Sequence, residues 1–155
     1  MKKTEIILLS ATFGCWVLGY LKVPVFPFFF LIHSIILLFF YFIFTFALLN
    51  NLSFKDLFIA RSYSKIGSLK TIGTIGLGFA LSSVVAGIMF IELVWYGGYP
   101  NVVIGMITLL IIGIVALIKI SKSENKLFYK NVLFRAFGFI ILGLISLFNS
   151  IYSNL

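Results

Sequence analysis

Residues 25–49 read VFPFFFLIHSIILLFFYFIFTFALL and contain no lysine, arginine, aspartate or glutamate. A helix needs about 20 predominantly apolar residues to cross the roughly 30 Å hydrocarbon core of a bilayer. This stretch meets that requirement along its whole length. We therefore expect residues 25–49 to form a transmembrane helix, and the rest of the chain repeats the pattern.

The composition of the chain also indicates that lipid surrounds it. Of its 155 residues, 62% are hydrophobic and 10% are charged, and the mean hydropathy is +1.20. Soluble domains carry about 45–50% apolar and about 25% charged residues. This chain has too few polar side chains to cover a surface that faces water, which excludes a water-soluble domain. The predicted partner of its surface is the lipid bilayer.

Four further stretches meet the length requirement for a membrane span. Together with 25–49 they predict an all-α, polytopic membrane helical bundle of five transmembrane helices, in one integral membrane domain over residues 1–155. The four additional spans lie at about residues 4–21, 71–95, 101–118 and 133–151.

Residues 50–70 connect the second and third spans and mix apolar with basic side chains. This mixture predicts an amphipathic helix on the inner leaflet, with lysines near anionic headgroups. It fits a plain interfacial connector, which is the simpler interpretation, or a docking element for a partner.

Lysine and arginine are distributed on one side of the predicted bundle. Of the twelve basic residues, Lys22 alone falls in a loop on the other side. Because short loops rich in lysine and arginine stay cytoplasmic, we predict an N-in/C-out protein of a bacterial-type inner membrane. In this orientation the basic residues that give the net charge of +8 lie beside the anionic lipids of the cytoplasmic leaflet. No polar basic face for nucleic acid is present, so nucleic acid is not an expected partner.

A shift of 73 residues aligns the first predicted hairpin with the second. This alignment predicts a possible tandem parallel hairpin repeat, with the fifth helix as an addition. The matched pairs are Leu8 with Leu81, Ser10 with Ser83, Gly14 with Gly87, Pro27 with Pro100, and Leu37 with Leu110.

The third predicted span carries a stripe of small residues at spacings of three and four. Such spacing places them on one face of a helix, and small faces let helices approach closely within a membrane. We expect the stripe to pack against a neighbouring helix of the same chain, with a homo-oligomer seam as the alternative. Its members are Gly73, Gly76, Ala80, Ser83 and Gly87.

Two ionisable residues, Glu92 and His33, fall inside the predicted spans near their outer ends. Ionisable residues within a membrane are costly and mark candidate functional sites. Lys22 and Asn101 are predicted at the same side, so the four residues could form a polar pocket for a proton, cation or small polar solute. The alternatives are a Glu92 that reaches the headgroups and a His33 that is packed or hydrogen-bonded.

Enzyme chemistry finds little support in the sequence. The single cysteine, Cys15, excludes an internal disulfide, and the single histidine excludes a pair of histidine metal ligands. The Gly97-Gly98 pair lacks the lysine and serine of a phosphate-binding loop. We therefore expect no catalytic residues, no metal and no cofactor.

The third and fourth spans resemble a known membrane hairpin. Their residues include IGLG at 75–78, ELVWYGGYP at 92–100 and GMI at 105–107. This order of a glycine-rich helix, a short turn with glycine and proline, and an early glycine is similar to the hairpin of GldL-type proteins. That family supplies the membrane subunit of the gliding and type 9 secretion motor in Bacteroidota. The resemblance implies a packed hairpin, while three more spans set this chain apart.

These features favour an integral membrane protein without enzymatic activity. The function we expect is that of a non-catalytic subunit or accessory protein, which acts by helix packing in a homo-oligomer or a larger membrane complex. The alternative is a small transporter or channel that uses Glu92.

Overall fold

The computed structural model describes residues 1–21, 25–56, 59, 66–123 and 125–153. Within these residues the chain forms five helices that run alternately up and down. The prediction of an all-helical bundle is confirmed. The helices are α1 (Lys2–Tyr20), α2 (Phe26–Leu49), α3 (Ser68–Glu92), α4 (Gly98–Lys122) and α5 (Lys126–Ser153).

Four of these helices, α2 to α5, are long and apolar enough to cross a membrane. They indicate a multi-pass membrane protein. Helix α1 has 19 residues and is not among the four, because Lys2, Lys3 and Glu5 lie at its start. That α1 also crosses the membrane stays a prediction.

Helix α3 ends at Glu92, three residues before the end of the predicted span 71–95. Val94 adopts a left-handed backbone with φ of +57°, and the amide of Trp95 donates to the carbonyl oxygen of Phe90 at 2.7 Å. A left-handed residue with a bond back to the last turn is a common way to end a helix, although glycine usually holds that position. The motif fixes Glu92 as the last residue of the helix.

The centre of the bundle lies where α3 packs between α2 and α4. The side chains there are aliphatic or aromatic and almost fully buried, including those of Tyr41, Leu77, Leu81, Val84 and Leu109. The outward faces of α2, α4 and α5 expose large apolar side chains. An apolar interior with an equally apolar exterior is the arrangement that lipid solvent permits.

The small-residue stripe of α3 packs against α4 over its second half. A Cβ atom at Gly87 would lie 2.5 Å from the backbone nitrogen of Val102, so only glycine fits. Ser83 donates its hydroxyl to the carbonyl oxygen of Asn101 at 3.2 Å, and Ala80 is fully buried. The stripe therefore joins two helices of one chain at this end.

The first half of the stripe is open. A Cβ atom at Gly73 would meet nothing within 4 Å, and one at Gly76 would touch Ile112 at an ordinary 3.7 Å. The two halves of one stripe thus differ: the half near Glu92 is closed by α4, and the half near Ser68 is accessible.

The two hairpins that the 73-residue shift relates differ in the same way. Gly14 of α1, the counterpart of Gly87, has open space around its missing side chain. In the α1–α2 hairpin the close contact is at the turn, where a Cβ at Gly19 would lie 2.7 Å from the ring of Phe26. The repeat itself stays a prediction.

Candidate functional site

The alternating helix directions give the bundle two distinct ends. We call the basic end the one where α1, α3 and α5 begin and α2 and α4 finish; the Glu92 end is opposite. Every lysine and arginine within the described residues lies at or near the basic end. They are Lys2, Lys3, Lys55, Lys70, Lys119, Lys122, Lys126, Lys130 and Arg135.

The basic end holds a buried ion pair between Glu5 of α1 and Arg135 of α5. The guanidinium Nε lies 2.7 Å from Oε1 of Glu5, and Nη2 lies 2.5 Å from Oε2. The side chains of Arg135 and Glu5 are only 11% and 7% exposed. Two parallel hydrogen bonds to one carboxylate form the strongest common geometry of such a pair.

Tyr41 of α2 completes this cluster. Its buried hydroxyl donates to Oε1 of Glu5 at 3.2 Å, and Nη1 of Arg135 donates to the carbonyl oxygen of Asn131 at 3.1 Å. The carboxylate accepts three hydrogen bonds and its charge is matched by arginine. We call Glu5, Tyr41 and Arg135 the Glu5 cluster; it ties α1, α2 and α5 together at the basic end.

The local sequence does not pair these residues. The predicted span 133–151 places Arg135 close to its start, whereas α5 begins at Lys126 and makes Arg135 its tenth residue. At about 1.5 Å per residue, Arg135 then lies about 14 Å along the helix. Residues three and four apart share a helix face. Arg135 lies three residues after Val132 and four before Phe139, which are both buried. This spacing was the signal that could have placed Arg135 on the inward face of α5.

The Glu92 end holds a second carboxylate in a different setting. Glu92 is half-buried, and the buried Ser146 of α5 donates its hydroxyl to Oε1 of Glu92 at 3.3 Å. The indole of Trp16 in α1 also interacts with this carboxylate. Among the described residues these are neutral donors, so no arginine or lysine balances the charge as Arg135 does for Glu5.

The other residues of the predicted polar pocket bond elsewhere. His33 is half-buried, and its Nδ1 lies 2.8 Å from the carbonyl oxygen of Phe29 and 3.8 Å from the sulfur of Cys15. The side-chain amide of Asn101 donates to the carbonyl oxygen of Gly97, within the first turn of α4. Lys22 lies outside the described residues. In the described part of the chain, Glu92 meets Ser146 and Trp16 rather than His33 or Asn101.

A cleft separates α1 from α5 between the two carboxylates. Its larger part has a volume of about 360 Å³ beside the Glu5 cluster, and a smaller part of about 60 Å³ reaches Trp16. Both parts share Leu9, Phe139 and Leu142 as walls. The lining is mainly apolar, so the cleft does not provide a polar connection between Glu5 and Glu92.

Within the described residues, no three histidine, cysteine, aspartate or glutamate side chains lie close enough to hold a metal ion. Of the two glutamates in the described helices, Glu5 is paired with Arg135 at the basic end and Glu92 lies among neutral donors at the other end. Comparisons with protein families, with curated proteins and with solved structures found no match for this chain.

Proposed function

We propose that this protein is a non-catalytic subunit or accessory protein of a membrane assembly, and that it acts by helix packing. In this proposal all five helices cross a bacterial-type inner membrane, with the basic end in the cytoplasm and the carboxyl terminus outside. The asymmetry of the described lysines and arginines supports this orientation, because such residues are retained on the cytoplasmic side.

The observation that carries the proposal is the closed core between α2, α3 and α4. Leu77, Leu81 and Val84 of α3 are fully buried against neighbouring helices, and Gly87 admits no side chain at all. A transporter needs a hydrated path across both leaflets, and tight apolar packing leaves no room for one in this region. Such packing is what a scaffold of fixed shape requires.

The experiment is purification of the full chain in mild detergent, with mass measurement and identification of co-purifying proteins. We expect a homo-oligomer or a stoichiometric partner. Gly73→Leu fills the accessible half of the small-residue stripe and is expected to release a partner that packs there. Gly14→Leu, which places the same side chain in open space on α1, is the matched control. A lone monomer that conducts ions in liposomes would contradict the proposal.

A transporter or channel role for Glu92 is the second candidate, because this half-buried carboxylate meets neutral donors instead of a basic residue in the described part of the chain. A carboxylate without a fixed counter-charge is suited to take up a proton or cation. The test is proton and cation flux into liposomes with the wild type and Glu92→Gln. Flux that Glu92→Gln abolishes would support this role, and flux no greater than in empty liposomes would exclude it.

Asp56→Asn is the control for the flux measurement. Asp56 lies in the connector after α2, where the hydroxyl of Ser53 donates to its Oδ2 at 2.7 Å. This hydrogen bond holds the pKa of Asp56 below its usual range. Removing an exposed charge outside the helices is expected to leave flux unchanged.

A further inference from the structure

A second pocket at the basic end lies between α3, α4 and α5, apart from both carboxylates. Lys70 from the first turn of α3 and Lys119 from the last turn of α4 contribute to its walls, with Phe128 and Tyr129 of α5 on a third side. Its volume is about 150 Å³. At about 30 Å³ per water molecule, this is room for roughly five waters or one phosphate group.

Both lysines line this pocket, and an aromatic contact positions Lys70. Nζ of Lys70 lies 5.3 Å from the centre of the Phe128 ring, a distance typical of a cation–π contact. Lys119 is half-buried as well. Two like charges on the walls of one small pocket repel each other, and the described lining residues include no carboxylate to balance them. An anion between them would relieve that repulsion.

The α4 side of the pocket continues beyond Lys119 as an apolar wall. Ile112 and Val115 of α4 extend it one to two turns from Lys119 toward the middle of the bundle, and Val115 is exposed on the outer face. A ligand that fits must therefore be amphiphilic, with an anionic group beside the lysines and an apolar chain along α4. Basic pockets between transmembrane helices at one membrane surface bind anionic lipid headgroups in this manner.

We propose that this pocket binds the phosphate headgroup of an anionic phospholipid from the leaflet at the basic end. Lys70 and Lys119 bind the phosphate, and the acyl chain runs along Ile112 and Val115. The proposal does not depend on whether the protein has a partner or moves ions, since neither lysine belongs to the Glu92 site or to the contact of Gly87 with α4. Gly73, from the open half of the small-residue stripe, does line the pocket.

The test uses the purified full chain in detergent with added dioleoylphosphatidylglycerol or dioleoylphosphatidylcholine. Binding of a lipid to the folded state raises the melting temperature with concentration, which gives an apparent affinity; native mass spectrometry counts the retained lipids. We expect phosphatidylglycerol to bind several-fold more tightly than phosphatidylcholine. Lys70→Gln and Lys119→Gln should each weaken that binding about five-fold, since one lysine near an anionic surface contributes on that order.

Lys122→Gln is the matched control. Lys122 lies in the same last turn of α4, is exposed, and is not part of the pocket wall. Its removal is expected to change the affinity less than two-fold, because a solvent-exposed charge is screened. If a glutamine variant does not fold, Lys70→Arg and Lys119→Arg keep the charge and should keep the preference for phosphatidylglycerol.

Four results would overturn the proposal. Equal affinity for the two lipids would show that charge plays no part, and an equal loss in Lys122→Gln would show that only the total charge matters. Stabilisation by inorganic phosphate alone, equal to that by phosphatidylglycerol, would show that no lipid chain is bound. Loss of the lipid preference in the folded arginine variants would show that the positive charges do not determine binding.

Discussion

Each end of the bundle holds a carboxylate, and the two carboxylates have different partners. At the basic end, Glu5 receives two hydrogen bonds from Arg135 and one from Tyr41. At the other end, Glu92 receives a long hydrogen bond from Ser146 and an interaction with Trp16. The comparison teaches that two carboxylates inside one bundle can differ in whether a counter-charge accompanies them. Within the described residues, Glu5 is paired with Arg135, whereas Glu92 meets neutral side chains.

The largest expected effect follows from removing one half of the ion pair. Glu5→Gln leaves the guanidinium of Arg135 buried without a counter-charge, which costs about 3–5 kcal/mol of unfolding free energy when such a pair is broken. Thermal or denaturant unfolding in detergent measures the loss. The double variant Glu5→Gln with Arg135→Gln should be more stable than the sum of the single losses predicts. Strictly additive losses would show that the two side chains do not interact.

The next effect concerns the helix interface near Glu92. Gly87→Leu forces a side chain into the backbone of Val102, and overpacking of this kind costs about 1–3 kcal/mol or more. Gly73→Leu puts the same side chain into the open half of the stripe, where surface changes stay within about 0.5 kcal/mol. Equal losses in the two variants would contradict the assignment of α4 as the partner of the stripe's second half.

The hydrogen bonds from neutral donors should rank the two ends in the same order. Tyr41→Phe removes a fully buried hydroxyl from the Glu5 cluster, and hydrogen bonds to charged groups contribute about 1.5–3 kcal/mol. Ser146→Ala removes a longer bond to the half-buried Glu92 and should cost about 0.5–1 kcal/mol. Unfolding of the two variants side by side measures the difference. A larger loss for Ser146→Ala would reverse the ranking of the two ends.

The smallest effect is expected for Glu92→Gln. The amide oxygen of glutamine still accepts the hydrogen bond from Ser146, and no described basic residue loses a partner. The unfolding free energy should therefore change by no more than about 0.5 kcal/mol. A loss as large as that of Glu5→Gln would mean that Glu92 pairs with a basic residue after all, such as Lys22.

Much of the fold could be predicted because its signals are local. A long stretch without charged residues, such as 25–49, indicates a buried or lipid-facing helix by itself, whatever the rest of the chain contains. The ends of the helices were harder to predict. Helix α5 begins at Lys126, seven residues before the predicted span. A helix continues beyond the hydrocarbon as long as its backbone hydrogen bonds continue. Apolarity marks the part of a helix in lipid, not the whole helix.

The candidate sites were less predictable because they depend on contacts between distant residues. Glu5 and Arg135 are 130 residues apart, and nothing in their local sequence pairs one with the other. Glu92 could be selected by its position inside a span, but its partners Trp16 and Ser146 are known only once α1 and α5 are placed. The basic pocket likewise needs three helices to bring Lys70 and Lys119 together.

A membrane labelling map tests most directly whether the two ends of the bundle face opposite sides of a membrane. In a Cys15→Ser background, single cysteines at Lys3, Val25, Tyr96 and Lys126 are treated with a membrane-impermeant maleimide in intact cells and after permeabilisation. We predict that positions 25 and 96 react in intact cells, and that positions 3 and 126 react only after permeabilisation. Labelling of position 126 in intact cells together with position 96 would contradict a bundle whose two ends face opposite sides of a membrane. Labelling of positions 3 and 25 from the same side would show that α1 does not cross.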